Sequence, residues 1–301
     1  MIHPSLKDRG EMYAKMKVYG NGASFKELYG QIDIDTLYYS ENDENFSLED
    51  FSAEITRTLE EDILDIKSNI VDAHLQGKID IELFKDNMMY QIANIFPAFF
   101  PVRREVADLQ SKFEYKVDVK SVNPILEVFY PKLQIADSTV IDGSYNGENN
   151  NFNLNATSKF VVYENVRMNN IYAYQDVSSD QLYALLQLDQ VLLNDSLTFQ
   201  EIQFTGIAYE GLMDSELIFH DTKDSRSDLE WYTYLQDKHG FEIEMHPSYF
   251  TINDHKWILN QEAYMRYSDQ CFTIEKFKLE REKQYIAFNG MLSDYPSDHL
   301  N

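Results

Sequence analysis

Phe46-Ser47-Leu48-Glu49-Asp50-Phe51-Ser52-Ala53 reads apolar, polar, apolar, two polar residues, apolar, a variable residue, apolar. The same order returns as Val166-Arg167-Met168-Asn169-Asn170-Ile171-Tyr172-Ala173, as Leu197-Thr198-Phe199-Gln200-Glu201-Ile202-Gln203-Phe204, and as Phe272-Thr273-Ile274-Glu275-Lys276-Phe277-Lys278-Leu279. Alternation on each side of the polar pair is the period-2 signature of a strand with one apolar face. The additional polar residue shifts the phase by one. A bulge or sharp bend absorbs that shift and keeps the apolar side chains of both half-strands on one surface. One copy alone reads as a core strand turning a corner. Four copies predict a repetitive sheet with a continuous apolar lining.

Composition agrees with a β-rich chain. Among 301 residues there are 21 Tyr and 19 Phe, and aromatics favour strands. With 44% apolar residues the chain can bury a core, as one large β domain or two smaller ones. Lys and Arg number 26 against 51 Asp and Glu, a formal charge of −25. Such a field repels phosphate backbones and anionic membrane surfaces, so no nucleic-acid partner is expected. The acids are scattered, as on solvated strand faces and loops. Cys271 is the single cysteine, which rules out an intrachain disulfide and a multi-cysteine metal site. No run of about 18 apolar residues is present to span a membrane as a helix. The N-terminal residues lack the pattern of a signal peptide, and the chain reads as a piece of a longer protein.

Residues 1–80 read as a first β segment, with 54–64 open to either strand or helix. Residues 81–112 read as a helical connector: Ile81, Phe84, Met88 and Ile92 are at helical spacing, Asp80 is a candidate N-cap, and Pro97 and Pro101 end the helix. Val102, Val106 and Leu109 allow a second short helix. Residues 113–301 read as a second β segment. Alternation over 113–120 leads into the apolar run 125–135, and a hairpin turns through the Asn/Gly-rich 146–151. Residues 182–188 fit a helix or a strand buried on both faces.

Chemistry-bearing motifs are few. His239, His246 and His255 lack the spacing of a zinc helix, and Asp137 to Gly143 lacks the alternating ligands of a calcium loop. Asp221, Asp224 and Asp228 suit a loose cation site or a solvated loop. With so many carboxylates some pair must border any cleft, so glycosidase chemistry cannot be argued from their presence. There is no nucleophile elbow and no phosphate-binding glycine loop. Neither a catalytic residue, a metal nor a cofactor is expected, and the chain is read as a non-enzyme. Trp231, Tyr232, Tyr234 and Trp257 are candidates for a glycan platform, or for ordinary sheet packing.

Three stretches carry a resemblance. They are Ile125 to Ile135 followed by Asp142-Gly143-Ser144-Tyr145-Asn146; Ile243 to Ile252 with Lys256-Trp257-Ile258-Leu259; and Ile286 to Ser293 with Pro296 and Asp298. In their order the chain resembles the TamB-like members of the AsmA-like, bridge-type lipid transfer proteins (TamB being part of the translocation and assembly module), in the form found in Bacteroidetes. The resemblance implies a mainly β fold: an elongated, curled antiparallel sheet forming a taco-like groove, with one or two short helices. It implies periplasmic phospholipid transport along that groove and support of outer-membrane biogenesis and protein assembly. It also implies partners outside this chain, an Omp85-type outer-membrane barrel and an inner-membrane anchor, so that the chain is a central fragment. The repeated motif supplies the expected groove lining for phospholipid acyl chains: Phe46, Leu48 and Phe51; Val166, Met168 and Ile171; Leu197, Phe199 and Ile202; Phe272, Ile274 and Phe277. Rival readings are a β-sandwich glycan binder, an acid/base hydrolase and a purely structural β spacer with a closed, dry core.

Overall fold

The computed structural model describes residues 11–22, 29–41, 44–100, 111–178, 180–193, 197–221, 225–237, 240–252 and 255–293. Among these residues twenty strands form one antiparallel sheet, elongated and curled, with two short helices against it. The first are β1 (Glu11–Asn21), β2 (Tyr29–Glu41), β3 (Glu44–Arg57), β4 (Asp62–Lys67) and β5 (Val71–Lys78). Helix α1 (Ile81–Ile95), β6 (Lys112–Val119), helix α2 (Asn123–Phe129) and the short β7 (Leu133–Ile135) follow. Next come β8 (Thr139–Asn146), β9 (Asn151–Tyr163), β10 (Val166–Ser178), β11 (Gln181–Leu193), β12 (Leu197–Tyr209), β13 (Leu212–His220) and β14 (Arg226–Asp237). The last are β15 (Gly240–Met245), β16 (Ser248–Ile252), β17 (His255–Leu259), β18 (Ala263–Ser268), β19 (Cys271–Arg281) and β20 (Gln284–Leu292).

Pairing follows chain order almost throughout. β5 pairs β6 from Val71↔Val119 to Lys78↔Lys112, so the strands before and after α1 are neighbours in one sheet. β6 pairs β8, and β9 is shared between β8 and β7. Near the other end β15 and β16 share the edge of β14, while β18 and β17 share that of β19. Among the described residues β1 and β20 each pair with one neighbour and form the two edges.

Local chemistry sets the helices. Asp80 caps α1, its Oδ1 accepting from the backbone N–H of Glu82 and Leu83 at 3.2 and 3.3 Å. Phe96 closes the helix by donating to the Ile92 carbonyl, and Pro97 follows. The expected second helix over 102–112 falls largely outside the described residues. The second helix among the described residues is α2, which runs from Asn123 into the apolar stretch 125–135 that follows the alternation of β6 in sequence. Pro124 in its first turn suits a helix start. Asn123 then ties the segment down, exchanging two 2.9 Å bonds with the backbone of Ile135. The two open stretches resolve as strands: 54–64 splits between β3 and β4 about a turn held by Thr58, and 182–188 lies within β11.

The sheet is two-faced. Across β8 to β12 one face presents the rows Tyr145–Phe152–Val177–Leu182–Ala208 and Ala156–Ala173–Leu186–Phe204. The other presents Asn153, Asp176, Tyr183 and Ile207, mostly polar. Gly143 permits close packing on the apolar face, since a Cβ there would meet the Tyr115 hydroxyl at 2.6 Å and the Asn153 carbonyl oxygen at 2.1 Å. Helix α1 covers one end of this face. Ile95 packs with Val177 and Ala208, and Phe84 stacks edge-on against Phe113 and Tyr145. Helix α2 lies at the opposite strand ends, where Phe129 meets Tyr39 and Phe46. A second small core joins Leu259, Ala263 and Leu279.

Candidate functional site

The four motif copies lie on β3, β10, β12 and β19, and in each the second residue of the polar pair has a left-handed backbone. The φ angles are 50° at Asp50, 49° at Asn170, 48° at Glu201 and 58° at Lys276. A residue in that conformation turns the strand and restores the phase, so apolar residues before and after it share a face. The expected bend is therefore present in every copy.

The bends of β10 and β12 are in line. Between the pairs Asn169↔Gln190 and Ile171↔Leu188, Asn170 faces Asp189 and donates to its Oδ2 at 2.8 Å. Asp189 in turn faces Glu201, between Gln190↔Gln200 and Leu188↔Ile202. On the other side Asn170 faces Lys159 of β9. One crease thus crosses four neighbouring strands. A second crease crosses β1 to β3. Asp35 faces Asp50, the β1 register shifts at Lys15/Met16, and Lys15 reaches Asp35 at 2.6 Å. On β19 the pair Glu275-Lys276 stands against the single residue Asn289 of β20. The sequence showed the polar pair on four strands. The answering residues Lys159, Asp189 and Asp35 lie on strands without the motif and become visible only through the register.

The twelve expected lining residues all fall on the apolar face. Six of them form one patch. Val166, Met168 and Ile171 are joined to Leu197, Phe199 and Ile202 through Leu193, Val191 and Leu188 of β11. The β11 residues belong to the same apolar patch but were not singled out in sequence, because a doubly apolar strand lacks alternation. Phe46, Leu48 and Phe51 lie several strands away, partly beneath Phe129. Phe272, Ile274 and Phe277 lie near the other edge, with Phe277 against Phe288. The structure brings two triplets together and spaces the other two along the curl. Ile202 is 9% exposed, Leu197 40%, and the other ten are half-buried. A closed sandwich would bury such residues against a second layer.

Comparison with family models, curated proteins and solved structures finds no match. The residues themselves therefore carry the argument.

The remaining candidates disperse. Trp231 packs on Phe204 and Trp257 joins the Leu259 core, both on the apolar face, whereas Tyr232 and Tyr234 lie on the opposite one. They form no single platform. His239 and Asp224 lie outside the described residues. His246 stacks edge-on against Tyr232, and His255 opens β17. Asp221 bonds to Ser225, and Asp228 pairs with Arg226 at 2.8 Å. Asp228 also gathers with Glu216 and Glu230, their oxygens within 4.8 Å of one another on the polar face. That cluster joins two strands, and its members Glu216 and Glu230 were not anticipated.

Titration is displaced by ordinary causes. Lys15, with help from Lys17, holds the Asp35 carboxyl below the usual range; Lys120 does so for Asp72, and Lys278 with Asn260 for Glu280. Burial, with the nearby Asp142 charge, pushes the Tyr115 hydroxyl up to about 12. Its 3.2 Å bond to the Asn153 carbonyl keeps it as a donor.

Proposed function

We propose that the chain is a non-enzymatic, lipid-conducting segment whose apolar sheet face holds phospholipid acyl chains. The observation that carries this reading is the continuous apolar face crossing every motif copy, half-exposed between the covers formed by α1 and α2. Sixteen pairings from β1 to β20, at about 4.8 Å each, make a path of roughly 75 Å along the curl. Each methylene removed from water on it contributes about 0.8 kcal/mol, without directional bonds. A graded lining holds chains yet lets them move. The polar opposite face and the net charge keep so large an apolar surface in solution. The resemblance to TamB-like bridges, the periplasmic setting, the Omp85-type partner and a role in outer-membrane biogenesis belong to the same proposal.

The test is native mass spectrometry of protein purified from lipid-rich expression, with extraction of bound material. Phospholipid is expected to co-purify and to be lost in the folded double variant Phe199→Asp/Ile274→Asp. A folded wild-type chain without lipid, or equal lipid in both proteins, would sink the reading.

A further inference from the structure

Gln175 is out of keeping with its surroundings. The pairings Gln175↔Leu154 and Gln175↔Ala184 place it on the apolar face, in the row next to that of Val177. Its neighbours on that face are Leu154, Ala173, Val177 and Ala184, and it is itself half-buried. Other polar groups of the face are satisfied by the protein. Thr139 and Ser158 share a 2.7 Å bond, Tyr115 donates to the Asn153 carbonyl at 3.2 Å, and the Tyr145 hydroxyl accepts from Asn87 at 2.8 Å. The Gln175 amide has no hydrogen-bond partner among the described residues. On the opposite face such an amide simply meets water. Here any apolar ligand that covers the face strips that water, and an amide covered without a new partner opposes binding.

The position beside α1 sets how a ligand lies. Val177, the next residue of β10 on this face, packs against Ile95 of the helix, so the face is already covered in that direction. In the other direction Ala173, Ile171, Met168 and Val166 extend the apolar face along roughly 30 Å of strand. A leaflet's depth of acyl chain, about 15 Å or half of a bilayer's hydrocarbon core, fits within it. The head of the chains then falls at Gln175. In a diacyl lipid the group at that point is an ester carbonyl, an acceptor for the amide N–H. The phosphate lies farther out, and the chain's charge of −25 disfavours drawing it onto the sheet. We propose that Gln175 selects ester-linked acyl lipids, its side-chain amide donating to an ester carbonyl of a lipid whose chains lie along β10 toward Val166. This rests on the reading of the apolar face as an acyl-chain surface and adds the class of lipid taken. A polar group left unpaired by an analogue lacking the acceptor discriminates against that analogue.

The test offers the purified chain equimolar dioleoyl phosphatidylethanolamine and its dialkyl ether analogue, which lacks only the ester carbonyls, and quantifies the bound lipid by mass spectrometry after extraction. The wild type is expected to favour the ester about fivefold. Gln175→Met, similar in length and without the amide, is expected to bring the two lipids to parity with total lipid undiminished. Gln175→Glu, polar but unable to donate when ionised, is expected to lose the preference as well. Circular dichroism like that of the wild type shows that both variants fold. Lipid bound by the wild type without preference, or a preference kept in both folded variants, overturns this inference alone. No lipid of either kind on the wild type overturns the acyl-chain reading together with it.

Discussion

Asp50 stands at φ 50° with its side chain exposed, and its equivalents Asn170, Glu201 and Lys276 do the same. A left-handed backbone costs an L-residue about 1–2 kcal/mol, least for Asn and Asp. Four independent strands accept that cost at the same motif position, because the alternative is a phase error that turns half of each strand's apolar residues to solvent. Asp50→Gly should therefore be neutral or stabilising by up to about 1 kcal/mol, since glycine enters this region freely. Asp50→Val should destabilise by about 1–2 kcal/mol, a β-branched residue being least suited to it. Urea unfolding of the two variants measures both. Equal stabilities would mean the bend is not set by this residue.

Helix α1 meets the sheet with a mixed face. Phe84 and Ile95 are apolar, but Asn87 and Gln91 between them are fully buried. The Asn87 amide donates to the Tyr145 hydroxyl at 2.8 Å and to Asn150 Oδ1 at 2.7 Å, whereas among the described residues neither polar atom of Gln91 has a partner. A buried amide left unsatisfied costs about 1–3 kcal/mol. Gln91→Met, similar in length and without the amide, should raise stability by about 1 kcal/mol in a denaturant titration, and a loss of stability would show that the amide is satisfied in solution. The helix also shows where sequence reading reached and stopped. Its start at Asp80 and its end before Pro97 were legible, because caps and prolines are local signals. That it lies across strand ends as distant as Phe113, Val177 and Ala208 was not, because nothing at those positions marks a docking site. Similarly, Ile125 to Phe129 looked like more strand, and only the exchange between Asn123 and Ile135 makes a helix there the better arrangement.

For the whole molecule the decisive balance is between an apolar layer that the two helices cover only in part and a strong negative charge. The motif made the sheet and its apolar face legible, since the period-2 pattern with one extra residue has few other solutions. The creases through Lys159–Asn170–Asp189–Glu201 were hidden, because register is a property of pairs of strands. Charge, by contrast, is fully readable, and it predicts how the fold responds to solution conditions. At −25 the chain repels itself, and this repulsion is screened as the Debye length shrinks to about 8 Å at physiological ionic strength. Lowering pH toward the isoelectric point of 4.5 relieves it as well. Against this, Asp35, Asp72 and Glu280 have carboxyls held below their usual range by lysines. A depressed folded-state pKa stabilises above the unfolded value, and that contribution disappears as pH falls through the folded one. These ion pairs are solvent-exposed, so each is a small effect. The melting temperature should therefore rise with salt at pH 7, rise as pH falls from 7 toward about 5, and turn down below about 4, where the carboxylates protonate. Thermal scans by circular dichroism across pH at two salt concentrations test all three. A melting temperature that fell on adding salt at pH 7 would mean that the exposed lysine–carboxylate pairs, and not the overall repulsion, dominate the electrostatics of the sheet.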